Sequence, residues 1–97
     1  MKYKLLLKAE AIKDIMDAFD WYENERTGLG VEFLDQLEDS CNQILQSPNR
    51  YQAYRNQRIA IVHRFPYKIV FEIEAGIIVV YAVYHDKRNP EKLAERE

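Results

Sequence analysis

His85 stands in the segment "YHDKRNP" at 84–90, followed at once by Asp86, Lys87 and Arg88. An imidazole exchanges protons near neutral pH, so His85 fits a general acid or base. Arg88 beside it fits a phosphate or carboxylate clamp. The same residues fit a plainer reading, in which His85 caps the end of a strand or pairs with Asp86. A second cationic group, Arg58, Arg64 and Lys68, lies just upstream. In "RIAIVHRF" and "YKIVFEIE" the residues alternate, which places these three cations on one sheet face and Ile59, Ile61, Ile69 and Phe71 on the other. On this parity His63 joins the core side. The cationic face suits an anionic partner, or it is an ordinary solvated surface; Glu72 and Glu74 share it. Tyr51, Tyr54, Tyr81 and Tyr84 carry rings that stack on bases or fill a core.

Other chemical templates do not match the sequence. The single Cys41 excludes an internal disulfide and a multi-cysteine zinc site, and fits a reducing cytoplasm. No His pair has metal-ligand spacing, no Gly-rich loop cradles phosphate, and no nucleophile elbow is present. Asp14, Asp17 and Asp20 recur every three residues and read as a solvated helix face before a metal site. The expectation is a protein with no metal and no cofactor.

The elements that must position these groups follow from periodicity. "YKLLLK" at 3–8 reads as a strand. From Ala9 to about Glu25, Ile12, Ile15, Met16, Phe19 and Tyr22 form one helical stripe, with Trp21 off it. "TGLG" at 27–30 stops that helix. Leu34, Leu37, Cys41, Ile44 and Leu45, flanked by Val31 and Phe33, form a second stripe that ends at Pro48. The two helices make an antiparallel hairpin. After Pro48 the period becomes two. Pro66 and "EAG" at 74–76 mark turns. "IIVVYAVY" at 77–84 is apolar on both faces, the pattern of a central strand. Asn89 and Pro90 suit the start of a short terminal helix. The expected fold is α+β: an N-terminal strand, then a helical hairpin packed on one face of an antiparallel sheet whose last three strands form a meander.

The 97 residues suffice for one domain, 1–97, with a modest core. The chain is 47% hydrophobic and 31% charged, the profile of a folded soluble protein. No apolar run approaches the ~20 residues of a membrane span. The first ten residues lack a signal-peptide core, so the sequence reads as mature and cytoplasmic. Net charge is −2 but unevenly spread. Residues 9–47 hold two cations and ten acids, whereas 48–90 hold seven cations and three acids. Such asymmetry marks a face for an anionic partner, or reflects acidic helices attracting a basic sheet.

Four pieces occur in order: "A..DI..A..WYE" at 11–23, "GLG..F...L" at 28–37, "FPYKIVFEI" at 65–73 and "YHDKRNP" at 84–90. Together they resemble the RelE/ParE superfamily of bacterial toxins over nearly the whole chain. The ParE-like branch, often described as plasmid stabilisation proteins, fits best. The resemblance implies the toxin of a type II toxin–antitoxin system, neutralised by a cognate antitoxin that wraps it. It also implies either a homodimer or a toxin–antitoxin hetero-oligomer. Members differ in target. ParE-like toxins poison DNA gyrase and need no active site of their own. RelE-like toxins are endoribonucleases that cleave mRNA on the ribosome. For that branch the resemblance puts Lys68 at a position commonly held by a catalytic Arg and His85 at that of a catalytic His, with Arg64 and Arg88 as electrostatic stabilisers. A nucleic-acid or partner surface would comprise Arg55, Arg58, Arg64, Lys68, Tyr84 and Arg88. The loop "NRYQAYRNQR" at 49–58 supplies no Lys, Glu or His as a general base, which favours the gyrase branch. A third reading is a non-toxic module that keeps the fold and the antitoxin partner.

Overall fold

The computed structural model describes residues 3–86 of the chain. Its elements run β1 Lys4–Leu7, α1 Ala9–Glu25, α2 Leu29–Gln46, a 3-10 turn Pro48–Arg50, then β2 Ala53–Tyr54, β3 Gln57–Ile61, β4 Tyr67–Glu74 and β5 Ile77–His85. The sheet order is β1-β5-β4-β3-β2. β3, β4 and β5 form the antiparallel meander, and β1 adds to β5 in parallel, so the sheet is mixed. Parallel addition is possible because α1 and α2 supply the long return that a parallel strand needs. The terminal helix expected after Asn89 lies outside the described residues.

The core lies between the hairpin and one sheet face. Phe33, Ile44, Ile69, Phe71, Ile78 and Val80 are fully buried there. β5 is also buried on its other face, at Val79 and Ala82, as its double apolar pattern requires. Two hairpin loops are two residues long, Arg55–Asn56 and Ala75–Gly76. All four residues are left-handed, as primed two-residue turns demand.

The helical hairpin is closed by a specific contact. Glu23 accepts the backbone N–H groups of Gly28 and Gly30 at 2.8 and 2.9 Å. A carboxylate from the end of α1 thus caps the start of α2, where unpaired donors and the helix dipole favour negative charge. The last residue of the "WYE" piece therefore holds the loop of the "GLG" piece.

Each helix also satisfies a sheet edge. β1 ends opposite Val80, so among the described residues no strand pairs with the far half of β5 on that side. There Asp14 accepts the Val83 N–H at 3.0 Å. At the opposite edge Ser40, a buried polar residue of α2, donates to the Ile61 carbonyl at 3.3 Å. An unmet backbone donor in a partly buried site is destabilising, and a carboxylate is a strong acceptor for it. Asp14→Ala is expected to lower unfolding free energy by about 1–3 kcal/mol in urea titration, with the midpoint shifted and the slope unchanged.

Two expectations about faces need correction. On α1 the buried line is Ala11, Ile15, Ala18 and Tyr22, while Ile12 and Met16 are 44% and 60% exposed. Small alanines let the helix sit close to the sheet, so the larger side chains fall to the flank. On β3 the parity is reversed. Ala60 and Val62 are buried, while Ile59 and Ile61 are 47% and 70% exposed. The ladder decides this: Ile69 and Phe71 face the helices, so their partners Ala60 and Arg58 do too. His63 falls in the β3–β4 turn and is exposed, not in the core.

Candidate functional site

The polar end of β5 meets the start of β4. Lys68 lies opposite Tyr84, and Tyr67 opposite His85. Alternation sends the two pairs to opposite faces. Tyr67 is buried among Tyr22, Phe33 and Phe65, and its ring meets the His85 ring edge-on at 5.3 Å. His85 is therefore on the helix side, half-buried, with its backbone fixed. The following amide, Asp86 N–H, donates to the Pro66 carbonyl at 2.6 Å and closes the β4–β5 end.

Lys68 and Tyr84 occupy the far face. The Lys68 ammonium lies 3.0 Å from the Asp86 carboxylate. That hydrogen bond, and then the Asp86 charge, raise the Lys68 pKa above the usual lysine range. Lys68 therefore stays protonated at neutral pH, paired with Asp86, and is unsuited to accept a proton.

The remaining arginines are dispersed. Arg64 sits in the β3–β4 turn with positive φ, 3.6 Å from Glu32 of α2. Arg26 also reaches Glu32, at 3.5 Å. Arg58 is on the helix side, contrary to its expected place beside Lys68. Its guanidinium donates to the carbonyls of Tyr51 and Asn49, so it organises the 47–52 segment. Tyr51 in turn packs edge-on against Phe71. Arg55 is at the β2–β3 turn, over the exposed Tyr54 ring at 5.4 Å. Arg88 lies outside the described residues. The structure thus brings Lys68, Tyr84 and Asp86 together and His85 with Tyr67. It keeps Arg58 and Arg55 apart from both groups.

Among the described residues no cluster of three or more His, Cys, Asp or Glu side chains is arranged to hold a metal ion. Asp17 pairs with Lys13 at 2.9 Å on the exposed face of α1, and Asp14 serves the sheet edge. Burial, with Glu38 nearby, pushes the Cys41 thiol up to about 11. Alkylation of Cys41 by iodoacetamide should therefore be slow at pH 8 and keep accelerating about tenfold per pH unit up to pH 10. A rate that levels off near pH 9 would contradict this burial. No described helix is long and apolar enough to cross a membrane.

Sequence reasoning missed the roles of Glu23, Asp14, Ser40 and Asp86. Only Glu23 left a signal, an acid five residues before a Gly that opens the next helix.

Comparison with known proteins follows the same outline. The family model described as the ParE toxin of type II toxin–antitoxin system, parDE, matches residues 5–90. No curated protein sequence matches the chain. Among solved structures, the chromosomal ParDE toxin–antitoxin system from P. aeruginosa superposes with a TM-score of 0.77 at 13% identity, over 87% of this chain and 96% of that one. The intact E. coli RelBE toxin–antitoxin complex gives 0.66 at 17% identity, over 89% and 99%. The isolated E. coli RelE toxin gives 0.64 at 17%, over 97% of each. At such identities the structural likeness is one of fold.

Proposed function

The chain belongs to the ParE toxin family of type II toxin–antitoxin systems, and on that premise we propose that it arrests growth by binding and poisoning DNA gyrase, and that a cognate antitoxin neutralises it in the cytoplasm. The observation that carries the choice of target is the separation of the titratable groups. Phosphodiester cleavage through the 2′-hydroxyl needs a proton acceptor, a proton donor and cations converging on one phosphate. Here His85 is held against Tyr67 on the helix side, and Lys68 is held by Asp86 on the other. A surface of dispersed, partly paired cations suits docking better than acid–base chemistry.

The endoribonuclease reading has one observation in its favour. Lys68 and Tyr84 lie side by side on the far face, where a backbone phosphate and a base could meet a cation and a ring. The two readings separate on His85. In the gyrase reading His85→Ala leaves RNA intact and growth arrest in place. In the nuclease reading it slows mRNA cleavage on translating ribosomes by about 10²–10⁴-fold. Expression without the antitoxin tests the toxin class itself, and unimpaired growth would favour a module that only binds its partner.

A further inference from the structure

The β2–β3 hairpin and the segment leading into it carry two tyrosine–arginine pairs. Arg50 lies over the Tyr51 ring at 5.2 Å and donates to its hydroxyl at 3.3 Å. Arg55 lies over the Tyr54 ring at 5.4 Å, and Tyr54 is 74% exposed. The backbone beneath them is fixed. Arg58 donates to the carbonyls of Tyr51 and Asn49, and Tyr51 packs against Phe71. The left-handed Arg55–Asn56 turn sets where Arg55 leaves the hairpin. The two tyrosines are three positions apart, at most about 10 Å of chain. Tyr54 joins no core cluster, so packing does not explain a ring held in water at this place.

The charges here differ from those elsewhere on the molecule. Lys13, Arg26, Arg64 and Lys68 each lie against a carboxylate. Among the described residues Arg50, Arg55 and Arg58 pair with none, and from Ser40 to Phe71 the chain has no Asp or Glu. Glu72 follows Phe71, the partner of Arg58, and closes the basic stretch on the sheet side. A net charge of −2 gives the whole molecule no attraction for a polyanion, so any such attraction is local. Guanidinium groups free of carboxylates beside an open ring are what a single-stranded nucleic acid requires: cations follow the phosphates and a base stacks on the ring. A duplex would keep its bases from the ring, and a peptide carboxylate would leave the ring unused.

We propose that the 50–58 stretch binds single-stranded DNA. A base stacks on the face of Tyr54 that Arg55 leaves open, and Arg50 and Arg55 meet phosphates. Arg58 is a positioning residue that holds the 47–52 segment, and Arg50 with it, in place. The assignment deepens the gyrase reading above and rests on it for its purpose, because gyrase acts on DNA: the toxin would hold the nucleic acid as well as the enzyme. The binding itself is measured without gyrase, so the two readings fail separately.

The test is fluorescence anisotropy of a labelled oligothymidylate titrated with the full-length protein over a range of NaCl. Two phosphate contacts predict a log–log salt slope of about −1.4. Tyr54→Ala should weaken binding about 5–100-fold at every salt concentration and leave the slope unchanged, because it removes stacking alone. Arg55→Gln should weaken binding and reduce the slope by about 0.7. Both side chains are exposed, so the melting temperature should change little, and Arg26→Gln, at the far end of α1, should bind as the wild type does. Binding that Tyr54→Ala leaves intact, or that polyglutamate displaces as well as unlabelled oligothymidylate does, would mean that charge alone acts and would overturn the assignment. Tighter binding of oligouridylate would assign the face to RNA and also overturn it. A wild-type protein that inhibits gyrase but leaves oligothymidylate free would sink this inference and leave the gyrase reading standing.

Discussion

Phe33→Ala should destabilise the protein by about 3–5 kcal/mol, the largest effect expected of any single truncation here. Phe33 is 0% exposed and touches three rings: Tyr22 at 5.5 Å, Phe65 at 5.4 Å and Tyr67 at 5.2 Å. It comes from α2, while its partners come from α1, the β3–β4 turn and β4. Its removal therefore opens a cavity where three elements meet, and collapse on any one side would strain the other two. A domain of this size has roughly 5–15 kcal/mol in all, so the loss is a large fraction of it. The same cluster holds Tyr67 under His85, which ties the stability of the hairpin to the geometry at the end of β5. Urea denaturation reads the effect directly. A loss below about 1 kcal/mol would mean that the rings do not form one packed unit.

Gly30→Val should lower stability by about 2–4 kcal/mol, through overpacking and loss of a helix cap together. A Cβ at Gly30 would lie 2.7 Å from Phe19 Cδ1 and 2.8 Å from Glu23 Oε1. Those are distances that real Cβ atoms do not tolerate. Relief requires either that α1 and α2 move apart or that Phe19 and Glu23 leave their places. The second route breaks the bonds from Glu23 to Gly28 and Gly30. The two mechanisms make the site non-additive. Glu23→Ala alone should cost about 1–2 kcal/mol, and Gly30→Val in that background should cost clearly less than in the wild type. Equal penalties in both backgrounds would show that the clash with Phe19 acts alone.

The elements of this fold were legible where one signal dominated. The α1 stripe, bounded by Lys8 and the "TGLG" break, gave Ala9–Glu25, and the double apolar pattern marked β5 as a buried central strand. The faces were less legible. In "RIAIV" both parities are apolar, so only the register against β4 could tell that Ile59 and Ile61 point outward. His63 and Arg58 were misplaced by the same step. Long-range polar contacts were invisible for a different reason. Asp14 reaches a strand 69 residues away, and Ser40 a carbonyl 21 residues away, so no local spacing announces them. Of the candidate site, the meeting of Lys68 with Tyr84 follows from the strand order. The turn of His85 to the other face does not, because both faces of β5 are apolar.

The proposal that the protein docks on gyrase without chemistry of its own is tested best by supercoiling of relaxed plasmid. Purified gyrase is mixed with the purified toxin in stoichiometric excess, beside a parallel reaction with His85→Ala. Both proteins should inhibit, with cleaved DNA accumulating and translated mRNA left intact. Unimpaired supercoiling, with mRNA cleaved on translating ribosomes by the wild type and not by His85→Ala, would contradict the docking mechanism.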